Sequence, residues 1–268
     1  MFDFGAAASG GEPGSEAMPT MGFLDHLEEL RKRLVYSILA VIAGTGICWW
    51  FHERIYAVMQ KPIVDLLHAH HLPEKLVYVN PTDPFNLYLK ISMMAGLFLT
   101  SPFVLYQVWM FISPGLYRNE KKYVVPFMVS TIALFSLGGY FGYRIAYPRA
   151  LNFFIIDFSG QFQPMITIGE YTSLFLSIVL GMGIVFEMPI LVFFLAFMGI
   201  MTPSFMIKNF RYAILVIFIL AAIVTPTPDI INMCVFAAPM LALYALSIGV
   251  AWVVHPKQRA ARKEKQAS

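Results

Sequence analysis

Acidic side chains stand at three places in a chain that is otherwise rich in apolar residues. Glu29 lies in the segment GFLDHLEELRKRL, next to Arg31 and Arg33. Glu120 is the one carboxylate of the charged turn RNEKK, and Glu187 interrupts a long apolar run. A carboxylate can accept two parallel N–H bonds from a planar guanidinium. Glu29 and Glu120 together therefore have the chemistry to bind two arginine side chains of a ligand.

Ordinary structural roles for the same residues stay open. Asp25, followed three residues later by Glu28, resembles a capping box. Glu29 and Arg33 have the i, i+4 spacing of a helix ion pair, which contributes only a few tenths of a kcal/mol. Arg31 or Arg33 can therefore occupy Glu29, and a lone glutamate in the turn fits a solvated loop.

Glu187 differs because it falls near the middle of an apolar run from Tyr171 to Gly199. An ionised carboxylate at the centre of a membrane costs about 3 kcal/mol, so this side chain needs a partner or a proton. Pro189 lacks an N–H and leaves the carbonyl of Val185 without its helical donor. Two interpretations follow: a protonated Glu187 bonded to its own helix, or a polar patch that faces a cavity or holds a polar residue of a partner's membrane helix.

The composition indicates a membrane protein. Of the 268 residues, 58% are hydrophobic and 13% charged, and the mean hydropathy is +0.67. A soluble domain of this size cannot bury so much apolar surface. The net charge of +3 does not indicate a nucleic-acid partner, because the cations cluster at the ends of apolar runs. We predict an all-α, polytopic membrane protein.

Neither the cysteines nor the histidines complete a metal site. Cys48 and Cys234 have no metal-binding spacing; a disulfide between them is conceivable, but two inert buried thiols are favoured. His68, His70 and His71 form the sequence HAHH, and imidazoles bind Zn, Cu or Ni. Since no thiol or carboxylate completes the set, we predict no metal and no cofactor.

The chain divides into a disordered tail at 1–20, a membrane domain at 21–254 and a basic cytoplasmic tail at 255–268. An N-terminal interfacial amphipathic helix, GFLDHLEELRKRL, precedes the first span. The six predicted spans cover 34–51, 91–112, 123–143, 171–199, 212–224 and 230–254. Both termini then lie on one side of the membrane.

Prolines and polar residues mark the predicted connections. Pro62 belongs to a polar region that runs to Lys90, and within it Lys61–His71 is a candidate for a short amphipathic helix on the membrane. Pro102 bends the second span, and Pro114 ends it before the charged turn. A loop with Arg144, Arg149 and Asp157 follows the third span, and Asp229 follows the prolines that end the fifth.

The fifth span is short. Its thirteen residues reach about 20 Å as a helix, some 10 Å less than a typical hydrocarbon core. We therefore expect the bilayer to thin beside it.

The distribution of cations predicts the orientation. Thirteen of the nineteen lysines and arginines fall on the side of the two termini, so both termini are predicted to be cytoplasmic. Glu29 and Glu120 then share the cytoplasmic face.

Four separated motifs carry a family resemblance. They are HLEELRKRL at 26–34, SPFVLYQVWMFISPGLYRNEKK at 101–122, FEMP at 186–189 and TPTPD at 225–229. In this order the motifs resemble the TatC family, the multispanning receptor of the twin-arginine protein translocase. The likeness covers nearly everything from Phe23 to about Val254.

The resemblance implies a function. The family exports folded proteins across the bacterial cytoplasmic (inner) membrane, using the proton motive force, after recognising a signal peptide with two consecutive arginines. It implies single-span partners of the TatA and TatB type and several copies of the chain. The partners must supply the passage, because six helices enclose too little space for a folded cargo.

Individual residues match the family's functional positions. By resemblance, Glu120 and Glu29 match the two glutamates proposed to contact the signal arginines, and Arg31 and Arg33 match the neighbouring basic positions. Further matches are the recurrent aromatic, the loop proline and the intramembrane glutamate of the family, respectively Phe111, Pro62 and Glu187.

Two rival functions can be weighed from the residues. A proton-coupled secondary transporter of a small solute suits a buried glutamate and proline-interrupted spans, but it predicts an internal repeat that the sequence lacks. An intramembrane enzyme needs a nucleophile, a metal set or paired intramembrane aspartates. The chain has no GxSxG, no HExxH and no aspartate within a predicted span. We therefore expect no enzymatic activity.

Overall fold

The computed structural model describes residues 23–73, 75–112, 124–157, 162, 164–197, 201–225 and 229–254. The predicted tails, the turn that contains Pro114 and Glu120, and parts of other connections lie outside these residues. The described residues form ten α-helices: α1 (Phe23–Trp50), α2 (His52–Ala69), α3 (Asp83–Ile112), α4 (Val124–Phe141), α5 (Tyr147–Asn152), α6 (Ile168–Val185), α7 (Met188–Phe197), α8 (Pro203–Lys208), α9 (Phe210–Val224) and α10 (Ile230–Val254). Single π-helical turns, Gly142–Ala146 and Phe153–Asp157, flank α5.

Four helical stretches of the described residues are long and apolar enough to cross a membrane. They are Leu27–Trp50, Asp83–Phe111, Ile168–Ala196 and Ile230–Trp252, with Phe210–Ile223 as a shorter apolar helix. Their side chains face outward to a degree that only a lipid environment tolerates. The prediction of an all-α membrane protein is confirmed.

The sequence predicted a separate interfacial helix for the charged N-terminal segment, and this prediction is wrong. The segment forms the first turns of α1, which runs without a break from Phe23 to Trp50. The reason is local: no proline or glycine stands between Phe23 and Ala43, and the i, i+4 charge pairs favour one continuous helix.

The polar region after the first span is also more helical than predicted. Helix α2 begins at His52 and ends at Ala69, so Pro62 lies inside a helix and not in a loop. Proline cannot donate to the carbonyl of Val58, four residues earlier. The hydroxyl of Tyr143 donates to that carbonyl instead (2.8 Å), and the hydroxyl of Tyr171 donates to the next carbonyl, that of Met59 (2.6 Å).

Helix α3 begins eight residues earlier than the predicted second span. The Asp83 carboxylate accepts the backbone N–H groups of Val79 and Asn80, at 3.2 and 2.9 Å, just before the helix starts. Pro102 lies within the continuous helix. The carbonyl of Phe98, which lacks a donor because of Pro102, accepts the Ser101 hydroxyl at 2.8 Å.

The prediction of a loop after the third span is wrong. Arg144, Arg149 and Asp157 lie on helical or π-helical turns that continue from α4 through α5. These polar side chains are exposed, while Tyr147 and Ala150 between them are fully buried. The segment is therefore amphipathic, and its apolar face joins the core with α2 and α6.

The later helices follow the prediction more closely. The fourth apolar run is interrupted at Phe186 and Glu187, where α6 ends and α7 begins. Helix α9 has 15 residues, two more than predicted. Helix α10 matches the predicted sixth span, Ile230–Val254, at both ends.

The two cysteines differ in burial, although both were predicted to be buried. Cys48 is buried and Cys234 is exposed, and both thiols are free. The prediction of a buried thiol is therefore wrong for Cys234, which lies on the exposed side of α10. His68, His70 and His71 are exposed at the C-terminal end of α2.

Candidate functional site

The position of α1 depends on close contact with α3. A Cβ atom placed on Gly96 of α3 would lie 2.6 Å from the backbone nitrogen of Thr45 and 2.9 Å from the carbonyl carbon of Gly44. Only glycine at position 96 permits this approach, because a backbone cannot move aside as a flexible side chain can. The helices are thus held at a fixed spacing, and the charged start of α1 lies beside the end of α3.

A charged cluster joins these two helix ends. Nη2 of Arg33 donates to Oε1 of Glu29 at 3.2 Å, forming the i, i+4 ion pair. Nη1 of Arg33 donates to Oε1 of Gln107 on α3 at 3.1 Å. One guanidinium therefore connects a carboxylate on its own helix with an amide on the neighbouring helix.

The cluster is half-buried. The side chains of Glu29 and Arg33 keep 18% and 23% of their surface exposed, and Gln107 is 5% exposed. Water screens charges less in such a place than in bulk, so charge-assisted hydrogen bonds are stronger there. Oε2 of Glu29 is buried and has no hydrogen-bond partner within the described parts of the chain. This carboxylate retains capacity to accept another donor.

The other predicted signal-binding residues lie around this cluster to differing degrees. Arg31 is exposed on α1 and Phe111 is partly exposed on α3, one helical turn after Gln107. Glu120 and Pro114 lie outside the described residues. The structure brings together Glu29, Arg33 and the end of α3. The sequence left open whether Arg31 or Arg33 pairs with Glu29, and the partner is Arg33.

Sequence reasoning missed Gln107. Its signal was an amide side chain in the otherwise apolar stretch FVLYQVWMFI. Polar residues in a membrane helix usually face another helix and bond to it. The sequence alone did not indicate which helix that was.

Glu187 lines a cavity of about 270 Å³ between α3, α4 and α7. Leu105, Val108, Trp109 and Ile190 are among the lining residues, and Thr131 is the other polar one. Oε1 of Glu187 is buried and makes no hydrogen bond to the described residues. Pro189 is buried beside it, and the backbone N–H groups of Ile190 and Leu191 both donate to the Glu187 carbonyl at 3.0 Å. Glu187 therefore borders an apolar cavity, while its Oε1 is a buried polar atom.

Asp229 has a structural position at the start of α10. Its carboxylate accepts the backbone N–H of Asn232 at 2.7 Å and the side-chain amide of Asn232 at 3.1 Å. This is the geometry of a helix N-cap. Among the described residues, no group of three or more His, Cys, Asp or Glu side chains is placed to hold a metal ion.

The chain is similar to known proteins. A family model described as Sec-independent protein translocase protein (TatC) matches residues 25–239. The chain belongs to the TatC family. The TatC protein of Koribacter versatilis is 63% identical over 251 residues, which cover 94% of this chain and 92% of that protein. The TatC protein of Carboxydothermus hydrogenoformans is 38% identical over 239 residues, covering 89% of this chain and 96% of that protein.

A solved structure of a TatC protein also matches the fold of this chain. The crystal structure of a twin arginine translocase receptor TatC matches with a TM-score of 0.73 at 35% identity, and the match covers 85% of this chain and 99% of that one. The resemblance that the four motifs carried is confirmed. This TatC chain is a component of the Sec-independent protein translocase, a multi-pass protein of the bacterial inner membrane, and not an enzyme. The small-solute transporter interpretation is not supported.

Proposed function

We propose that this TatC chain is the signal-peptide receptor of a translocase that exports folded proteins, driven by the proton motive force. In this proposal Glu29 and Glu120 each contact one of two consecutive arginines in the signal peptide. Arg31, Arg33 and Phe111 line the same site. The observation that carries the proposal is the half-buried carboxylate of Glu29, which keeps one oxygen without a partner among the described residues at the junction of α1 and α3.

The chemistry of the site favours arginine over lysine. A guanidinium is planar and always charged, and it presents parallel N–H groups that match the two oxygens of a carboxylate. An ammonium is a point charge and cannot make this two-bond contact. Two carboxylates far apart in the sequence can therefore select two adjacent arginines.

Chain length supports a shared site for the two glutamates. Glu120 follows Ile112, the last described residue of α3, by eight residues and precedes Val124 by four. A stretch of eight residues reaches at most about 28 Å, and one of four residues at most about 14 Å. Gln107, which contacts Arg33, is only five residues before Ile112, or about 7.5 Å along the helix. Both glutamates are thus expected at the same membrane face.

The proposed topology has six spans with both termini in the cytoplasm, which places this face in the compartment where folded cargo is made. The bias of lysine and arginine toward that side supports this orientation. The apolar part of the signal peptide is then free to lie along the outer surfaces of α1 and α3, where many large apolar side chains are exposed.

We propose single-span proteins of the TatA and TatB type and further copies of this chain as the partners. The cavity at Glu187 supports docking of a partner's membrane helix, because a carboxyl group in an apolar membrane setting favours a polar side chain on a neighbouring helix as its partner. The passage for the cargo is formed with these partners.

Substitution of the two glutamates tests the proposal. Glu29→Gln and Glu120→Gln each remove the charge and keep the size of the side chain, so each should weaken binding of a twin-arginine peptide by at least tenfold, as expected for a lost charge-assisted bond. Glu28→Gln is the matched control, since Glu28 is the exposed neighbour of Glu29. Equal binding by the Glu120 and Glu28 variants would remove Glu120 from the site.

A further inference from the structure

The ion pair between Glu29 and Arg33 is only half formed. Nη2 of Arg33 donates to Oε1 of Glu29 at 3.2 Å. Nε lies on the same edge of the guanidinium as Nη2. Nε of Arg33 and Oε2 of Glu29 are both buried and have no partner among the described residues. These two atoms are the ones that a two-bond, side-on pair would join.

Gln107 accounts for this arrangement. Its Oε1 accepts Nη1 of Arg33 at 3.1 Å, on the edge of the guanidinium that faces away from Nε. Gln107 is 5% exposed and stands on α3, so its amide cannot follow Arg33 toward α1. The guanidinium is held between acceptors on two helices, with one N–H bond to each.

We propose that Gln107 is a positioning residue of the signal-binding site, which keeps Arg33 from closing on Glu29 and so leaves a carboxylate oxygen for an arginine of the signal peptide. The inference rests on the proposed function, since it concerns how Glu29 is presented to the ligand. The unpaired oxygen is buried, so a signal arginine reaches it through rotation of the Glu29 carboxylate, whose terminal torsion is soft.

The consequence of losing Gln107 follows from the geometry. Without an acceptor at Nη1, Arg33 is free to pair with Glu29 through both Nε and Nη2. Both carboxylate oxygens are then occupied by an internal arginine. A signal arginine would have to displace a complete two-bond pair, and its affinity falls.

The experiment uses the full chain in a mild detergent and a fluorescent peptide with a twin-arginine signal sequence. Gln107→Met removes the acceptor at similar size, and the expected loss of affinity is about tenfold, the effect of one charge-assisted hydrogen bond. Arg33→Met removes the residue that closes on Glu29 while keeping an apolar stem of similar length. Added to Arg33→Met, Gln107→Met should cause no further loss of affinity, because Gln107 acts through Arg33.

Two further variants make the comparison specific. Ser92→Ala removes another buried polar side chain of α3, and it should leave peptide affinity unchanged. Gln107→Asn retains an amide but withdraws it by one methylene, so it should give a smaller loss than Gln107→Met. It also keeps the test in force if the methionine variant is poorly folded.

Unchanged affinity in both Gln107 variants would overturn the inference. So would an equal loss when Gln107→Met is added to Arg33→Met, because it would mean that Gln107 does not act through Arg33 and only ties α1 to α3. Glu29→Gln separates this inference from the proposed function. If Glu29→Gln loses affinity while the Gln107 variants do not, only the role of Gln107 fails; if Glu29→Gln binds like the unsubstituted chain, the proposed site itself fails.

Discussion

The close contact between α1 and α3 gives a prediction that links packing to the site. Replacing Gly96 by alanine adds a Cβ atom 2.6 Å from the Thr45 nitrogen and 2.8 Å from its Cα, where ordinary contacts begin at 3.4 Å. Since these neighbours are backbone atoms, α1 must move away by roughly 1 Å to reach ordinary contact distances. Overpacking of this kind costs about 1–3 kcal/mol, partly offset by the better helix propensity of alanine, about 1 kcal/mol.

The displacement also reaches the charged cluster. The bond from Arg33 to Gln107 is 3.1 Å long, and a further separation of about 1 Å breaks it. Gly96→Ala should therefore lower the apparent Tm in mild detergent by about 2–8 °C and weaken binding of a twin-arginine peptide. The matched control is Gly46→Ala on α1, whose added Cβ meets no atom within 4 Å.

Thermal unfolding monitored by the fluorescence of the tryptophans, followed by peptide titration of both variants, checks the prediction. Gly46→Ala should keep the peptide affinity of the unsubstituted chain and melt at or slightly above its Tm, because alanine favours the helix at this position too. If Gly96→Ala and Gly46→Ala melt at the same temperature, the close approach of α1 and α3 does not hold the site, and the reasoning is refuted.

Three other predictions concern more distant parts of the molecule. Tyr171→Phe removes the buried bond from its hydroxyl to the carbonyl of Met59, which should cost about 1 kcal/mol of stability and lower the Tm; an unchanged Tm would show that the bond contributes nothing. Glu187→Ala should reduce assembly with the partner subunits and export while the Tm stays within a few degrees, because Oε1 of Glu187 makes no bond to the described residues; intact assembly and export would exclude a partner site there. Accessibility labelling of single cysteines along 206–229 should find a lipid-protected stretch of about 20 Å around α9, and a protected stretch as long as a full hydrocarbon core would rule out local thinning of the bilayer.

Local patterns predicted much of the fold. The apolar run that became α10 matched its helix from Ile230 to Val254, since hydropathy and the flanking residues set both ends. The i, i+4 spacing likewise marked Glu29 and Arg33 as a pair. Both are features of short segments, and short segments are what periodicity describes.

Contacts between distant segments account for what the sequence did not predict. By resemblance Pro62 was a loop proline, yet it lies in a helix, and Tyr143, from far along the chain, donates to the Val58 carbonyl that Pro62 leaves without its helical donor. The loop after the third span is a helix because Tyr147 is buried against other helices. Gln107 is 74 residues from Arg33, so no local pattern relates them.

The central claim is that two glutamates at one cytoplasmic rim bind the paired arginines of a signal peptide. The most direct measurement is photocrosslinking from positions 29 and 120, in membranes, to twin-arginine and twin-lysine versions of one signal peptide. The account predicts crosslinks from both positions to the arginine peptide and few or none to the lysine peptide. Equal crosslinking to the two peptides, or crosslinks from only one of the two positions, would contradict it.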